Sequence, residues 1–281
     1  MNSPNELQER VIKRILVAID ASPHSLAALE TAARYASRFQ AELVGIFVED
    51  INLVRLSEMP FACEMGYYSA TRRPLDYSEV KRQMRVQARW AQRAIELLAE
   101  RANISWSFRT VRGVVASELL TAATEADMLI LGKAGWSRKR NLGSTARVII
   151  AQPPRQAMVL QAGVNLERPI LVIYDGSPNS KQALTTAINL QTEGNPIMVV
   201  LLTEDAETAQ QYQSDIQNQF QSLELKIHYY WFPQLNIKRL AQLARLEQCS
   251  LFIIPTQSSH ISGENLLALM NTVDCAVLLV R

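Results

Sequence analysis

Two stretches decide the fold: ILVAIDASPHSLAALETA, residues 15–32, and ILVIYDGSPNSKQALTTA, residues 170–187. Set 155 residues apart, they are identical at eleven of eighteen positions, among them Asp20 with Asp175, Ser22–Pro23 with Ser177–Pro178, and Ser25 with Ser180. The same offset lays FVED (47–50) over LTED (202–205). Further on, ADMLILG (126–132) matches CSLFIIP (249–255), and AMVLQ (157–161) matches AVLLV (276–280). Matches that keep their order through both halves mark an internal duplication. The chain reads as two copies of one domain, residues 1–162 and 163–281, joined near AGVNLERP (162–169).

Each copy alternates strand and helix. RILVAI (14–19) is a continuous apolar run, as expected of a parallel strand covered on both faces. Residues 22–39 carry apolar side chains at helical spacing, with Ser22 placed as N-cap and Pro23 at the first helical position. ELVGIFV (42–48), ISWSFRTV (104–111), DMLIL (127–131) and AMVLQ (157–161) read as four more strands. The spacing predicts an arginine-studded amphipathic helix over 77–102, a helix over 115–126 and another beginning near Ser144. The second copy repeats the pattern from PILVIY (169–174) to AVLLVR (276–281). The fold class that follows is α/β: two tandem open parallel five-stranded sheets with helices on both faces, Rossmann-like. Residues 51–76 read as an irregular excursion without a counterpart of similar length in the second copy, either packed on the domain or acting as a lid or partner-binding flap.

Composition narrows the function. The chain has 281 residues, 48% of them hydrophobic and 20% charged, which suits two packed domains. A formal net charge of +2 argues against binding nucleic acid or an anionic membrane over the whole surface. No segment approaches the roughly 20 apolar residues of a membrane span, and the polar start MNSPNELQERVIKR lacks the apolar core of a secretory signal. Three widely spaced cysteines suit a reducing compartment, so a cytoplasmic location is expected. The scattered histidines and cysteines offer no metal-ligand spacing, and no nucleophile elbow or Walker-type loop occurs.

The polar stretch that asks for a ligand is LGKAGWSRKRNLGST (131–145), at the end of the fourth strand of the first copy. In an open parallel sheet, ligands sit at the carboxyl ends of strands where the chain order reverses. Asp20 ends the first strand there and Gly132 the fourth. Gly132 and Gly135 permit close approach of a ligand to the backbone. Gly143, Ser144 and Thr145 open a helix whose free amides and dipole favour an anion. Lys133, Arg138, Lys139 and Arg140 supply countercharge. A solvated basic loop is the plainer alternative.

The opening strand ending in VAID, the following SPHS, the strand-two end at Val48 and ADMLILG leading into the glycine loop together resemble a tandem universal stress protein, over nearly the whole chain and in two copies. The resemblance implies a five-stranded parallel sheet with flanking helices, similar to the adenine nucleotide alpha hydrolases. ATP-binding members of that family carry G-x2-G-x9-G-[ST] after strand four. Here Gly132-x2-Gly135 is followed by seven residues and then Gly143–Ser144, a connection shorter by two. Carried over by position, Asp20 and Val48 flank adenine and ribose, Leu131 and Gly132 line the nucleoside, and Gly135, Gly143, Ser144 and Thr145, with Lys133, hold phosphates. ATP, with or without magnesium, is thus expected in the first domain only. In the second copy Pro255 stands for Gly132, Ser258 for Gly135, and Glu264 follows Gly263, so a degenerate site is expected there.

No dedicated base or magnesium ligand is evident, so the protein reads as a nucleotide-binding sensor or stress-response accessory with little or no hydrolysis, and not as an enzyme. The competing reading is a nucleotide-independent scaffold that acts on an unknown protein partner. Members of the family commonly pair through their last strands; AMVLQ and AVLLV could pair within one chain as an intramolecular pseudo-dimer, or between chains as a homodimer.

Overall fold

The computed structural model describes residues 12–65, 72–134, 142–161, 163, 167–192, 194–258, 260–261 and 263–281. The chain packs into two compact units, Met1–Ala21 with Leu29–Leu129, and Ser22–Ala28 with Ile130–Arg281. This division follows packing, whereas the duplication follows sequence, and the two place their boundaries differently.

In the first unit the chain runs β1 (Arg14–Ala18), α1 (Pro23–Phe39), β2 (Glu42–Asp50), α2 (Ile51–Ser57), β3 (Cys63–Met65), β4 (Arg72–Pro74), α3 (Tyr77–Ala102), β5 (Trp106–Gly113), α4 (Val115–Ala123) and the start of β6 (Met128–Gly132). The strand order is β6-β1-β2-β5, and β1–β2 and β2–β5 are parallel. Burial along β1 and β2 is nearly continuous, while β5, at the edge, alternates. That difference is what covering one or both faces of a strand demands.

The second unit contains the end of β6, then α5 (Ser144–Ala151), β7 (Gln156–Leu160), β8 (Ile170–Tyr174), α6 (Pro178–Leu190), β9 (Ile197–Leu202), α7 (Ala206–Gln219), β10 (Ile227–Phe232), α8 (Ile237–Leu246), β11 (Leu251–Pro255), α9 (Gly263–Thr272) and β12 (Ala276–Val280). Its strand order is β10-β9-β8-β11-β12-β7-β6. Each repeat therefore has the same internal order, third-second-first-fourth-fifth, which puts the point of reversal between its first and fourth strands. Residues of β8, β9, β11 and β12 are buried throughout. The two last strands, β7 and β12, pair within the chain and antiparallel, with Val277 opposite Val159 and Leu278 opposite Met158.

The repeated sequence folds into repeated detail. The Ser22 hydroxyl accepts the Ser25 amide at 3.2 Å, and the Ser25 hydroxyl donates to the Ser22 carbonyl at 3.0 Å. Ser177 and Ser180 do the same at 3.2 and 2.9 Å. Each serine is the N-cap of a helix that begins with proline. The matched FVED and LTED also share a purpose. Asp50 accepts the Asn52 amide and opens α2, and Asp205 accepts the amides of Glu207 and Thr208 and opens α7. Residues 51–76 correct the expectation of an irregular excursion: they hold α2 and a two-stranded antiparallel hairpin, β3–β4, before Asp76 caps α3. A seven-residue helix and two three-residue strands are too short to show periodicity in sequence. No helix among the described residues is long and apolar enough to cross a membrane.

Candidate functional site

Leu131, Gly132 and Lys133 follow one another at the end of β6, in the second unit. The Lys133 amide donates to the Leu160 carbonyl at 2.5 Å, tying this end to β7. Its side chain is buried, with 6% exposed, and the ammonium donates to the Val273 carbonyl, just before β12, at 3.2 Å. A buried ammonium must be answered by acceptors, so this cation is directed at the protein's own backbone. The Gly143 amide donates to the Lys133 carbonyl at 2.9 Å, and the Leu142 amide to Asn271 Oδ1 at 3.3 Å. Three of the main-chain donors around the loop are thus already engaged.

Gly132 has a packing reason to be glycine. A Cβ built there would stand 2.8 Å from the Cβ of His24, a distance that real Cβ atoms essentially never show, and 3.0 Å from its backbone carbonyl carbon. At the other end of the loop, Gly143 caps α5 in an extended conformation, φ −65° and ψ 159°, and brings no side-chain acceptor to the first turn. Ser144 is exposed there and Thr145 half-buried. Arg147 donates to the Leu142 carbonyl at 3.3 Å. Gly135, like Trp136, Arg138, Lys139 and Arg140, lies outside the described residues. In the first unit Asp20 is exposed beyond the end of β1, and Val48 is half-buried opposite Val111 of β5.

The corresponding crevice of the second repeat is filled by its own side chains. Ser258, which stands where Gly135 stands in the first repeat, donates its hydroxyl to Asp175 Oδ2 at 2.5 Å. The Ser177 amide reaches Asp175 Oδ1 at 3.1 Å, and Tyr212 donates to the Asp175 carbonyl at 3.2 Å. Gly176, at φ +78°, lies so close under the Tyr212 phenol that a Cβ there would meet its hydroxyl oxygen at 2.4 Å. Burial works to raise the pKa of the half-buried Asp175, but the hydrogen bonds from Ser177 and Ser258 prevail and hold it below the usual carboxylate value. Asn179 reaches across to the Thr256 carbonyl at 2.6 Å, and Thr256 repeats the part of Lys133 by donating its amide to the Val280 carbonyl at 2.7 Å. The repeat pairs Ser258 with Gly135 in sequence but carries no signal for its hydroxyl partner, Asp175. Asn271 and Val273 carried no sequence signal.

Elsewhere, a cavity of about 270 Å³ in the first unit opens at the amino ends of β1, β2 and β5. Arg14 pairs there with Glu42 at 2.8 Å and Arg109 with Glu125 at 3.2 Å, so each cation is balanced. Among the described residues no group of three or more His, Cys, Asp or Glu side chains is placed to hold a metal ion. The cysteines are free; burial pushes the Cys249 and Cys275 thiols up to about 12 while Cys63 is exposed.

Tested against a bound triphosphate, the described donors fit poorly, because Lys133 and the amides of Lys133, Leu142 and Gly143 already have acceptors. The start of α5 is the part that fits.

Comparison with known proteins places this arrangement. A universal stress protein from Archaeoglobus fulgidus shares the fold with a TM-score of 0.71 at 14% identity, covering 95% of this chain and 98% of its own. A putative universal stress protein from Pseudomonas aeruginosa gives 0.61 at 16% identity, over 96% and 93%. A universal stress protein solved in complex with cAMP matches 54% of this chain and 99% of its own at 19% identity, with a TM-score of 0.39. No curated protein matches the sequence. Residues 12–161 match the family described as the Universal stress protein family, which is more than half of the chain. The chain belongs to the universal stress protein family.

Proposed function

We propose that this universal stress protein is a stress-response accessory that works through protein contacts in the cytoplasm, and that Lys133, after strand four, is an internal brace in place of a phosphate ligand. The observation that supports this reading is Lys133, whose buried ammonium is held by the Val273 carbonyl. To serve a phosphate it would have to leave a site where its departure strands a buried carbonyl, at a cost of about 1–3 kcal/mol. Three free thiols agree with a reducing compartment. No catalytic turnover is proposed. The test is to denature the purified native protein, quantify released adenine nucleotide, and follow thermal unfolding with and without millimolar ATP and magnesium. Substoichiometric nucleotide and an unmoved midpoint are expected. A ligand at about a hundred times its Kd would contribute about 2.7 kcal/mol, and a shift of that size would overturn the reading.

A second reading is favoured by one observation, the uncapped start of α5. In it the first repeat binds ATP with little or no hydrolysis, the phosphates resting on the first turn of α5 at Ser144 and Thr145. Ser144→Asp tests it. A carboxylate in the first turn agrees with the helix dipole and so spares the fold, but it repels phosphate. Nucleotide affinity that survives this change would rule the second reading out.

A further inference from the structure

The first unit carries an apolar surface that its own fold does not cover. Of the thirteen large apolar side chains exposed among the described residues, eight fall between Leu53 and Leu97. Phe61, at the turn before β3, is 88% exposed, and Met65 within it 71%; Leu56 and Met59 lead up to them. The hairpin lies between α2 and α3 along the chain, and α2 packs on both α3 and β5. Concentrated exposure of this kind in a soluble unit marks an interaction surface.

The outward face of α3 exposes apolar side chains as well. The inward face, with Met84, Ala91 and Ile95, is buried. On the outward side Val86 and Trp90 stand four residues apart and are 54% and 41% exposed. Beside them runs a second row at the same spacing, Arg85, Arg89 and Arg93. Between Lys81 and Arg93 the helix has five cations and no acid. Arg82 and Arg93 are answered by Glu79 and Glu96, but Arg85 and Arg89 have no carboxylate partner among the described residues. Like charges four residues apart weaken a helix. This surface is peculiar to the first repeat: from the matched Asp205 the second proceeds directly into α7, whose exposed positions after Ala206 are polar.

We propose that this flank is a docking surface for an acidic amphipathic protein segment, one that sets carboxylates against Arg85 and Arg89 and apolar side chains against Trp90, Phe61 and their neighbours. The charge specifies the sign of the partner, and the interleaving specifies its kind. A helix built to lie on a lipid surface separates a broad apolar face from its cations. Here the apolar face of α3 is already buried in the fold, and the exposed side mixes the two row by row, so a partner must offer carboxylates and apolar side chains together. The proposal rests on the accessory reading above and gives it a site.

The test titrates the full chain against a fluorescein-labelled amphipathic helix of leucine and glutamate, its leucine–lysine counterpart, vesicles of phosphatidylcholine with phosphatidylglycerol, and a single-stranded oligonucleotide. The acidic peptide should bind best, lose affinity as salt rises, and bind about tenfold or more weakly to the Arg85→Glu, Arg89→Glu double variant and to Phe61→Ser. Both variants lie on the surface and should keep the parent thermal midpoint. Equal binding of the two peptides, or unchanged affinity in both variants, would overturn the proposal. So would tighter binding to vesicles or oligonucleotide that the same changes abolish, or a self-dimer that Phe61→Ser dissolves. Each titration is run with and without ATP and magnesium. A nucleotide-induced thermal shift that leaves peptide binding unaltered would defeat the accessory reading and keep the docking surface; lost peptide discrimination without such a shift would defeat the docking surface alone.

Discussion

The crevice mouths of the two repeats started from one sequence and closed in different ways. In the second, Ser258 and Tyr212 fasten on Asp175, so the carboxylate at the end of the first strand is absorbed into the protein's own hydrogen bonds. In the first, closure falls to the fourth strand's end, where Lys133 binds the Val273 carbonyl and Gly143 folds back on Lys133. What survives in both is the backbone tie from the residue after strand four to the end of strand five, Lys133 to Leu160 and Thr256 to Val280. A fold can thus keep the hydrogen bonds that join its strands while its polar mouth is rebuilt one side chain at a time.

That contrast can be broken most sharply at Lys133. Lys133→Ala removes a buried stem and strands the Val273 carbonyl, and urea unfolding should show a loss of about 3 kcal/mol. Thr256→Ala, which keeps the backbone tie, should cost only about 1 kcal/mol. Equal losses would mean that the ammonium is not the brace described here.

Asp175 sharpens the comparison along the pH axis. Its pKa is lowered on folding, so its contribution is present above the unfolded value of about 3.9 and is lost as pH falls through the lower folded value. Asp175→Asn should therefore cost about 1–2 kcal/mol near neutrality, with the gap to the parent narrowing in acid below about pH 4. Thermal midpoints measured across that range check it, and a gap independent of pH would contradict the assignment.

The smallest effect concerns the turn after the first strand. Ala21 sits at φ +62° where the second repeat has Gly176 at +78°. A left-handed alanine is strained and a glycine is not. Ala21→Gly should stabilise the protein by about 0.5 kcal/mol, read as a rise in the urea midpoint.

The sequence made the strands, the caps and the long helix legible because each is written locally. Ser22–Pro23, Ser177–Pro178 and the 77–102 periodicity lie within a turn or two of what they determine, and α3 begins and ends where its spacing said it would. The duplication gave the rest of the topology its outline, but it left AMVLQ and AVLLV free to pair within the chain or between chains, and only the structure shows them paired within it. The closure of the loop could not be read this way. Lys133 meets Val273, and Leu142 meets Asn271, across more than a hundred residues, and lysine in a glycine-rich loop looks the same in sequence whether its charge faces a phosphate or a carbonyl.

The antiparallel pairing of β7 with β12 has a kinetic consequence. Its partners are remote along the chain, so it forms only after a long loop closes, and such contacts come late and slowly. Until then β7 presents an apolar strand, Ala157 to Leu160, with one edge open to any other chain. Renaturation from denaturant is thus a race between this internal zipper and clumping with neighbours, won by dilution.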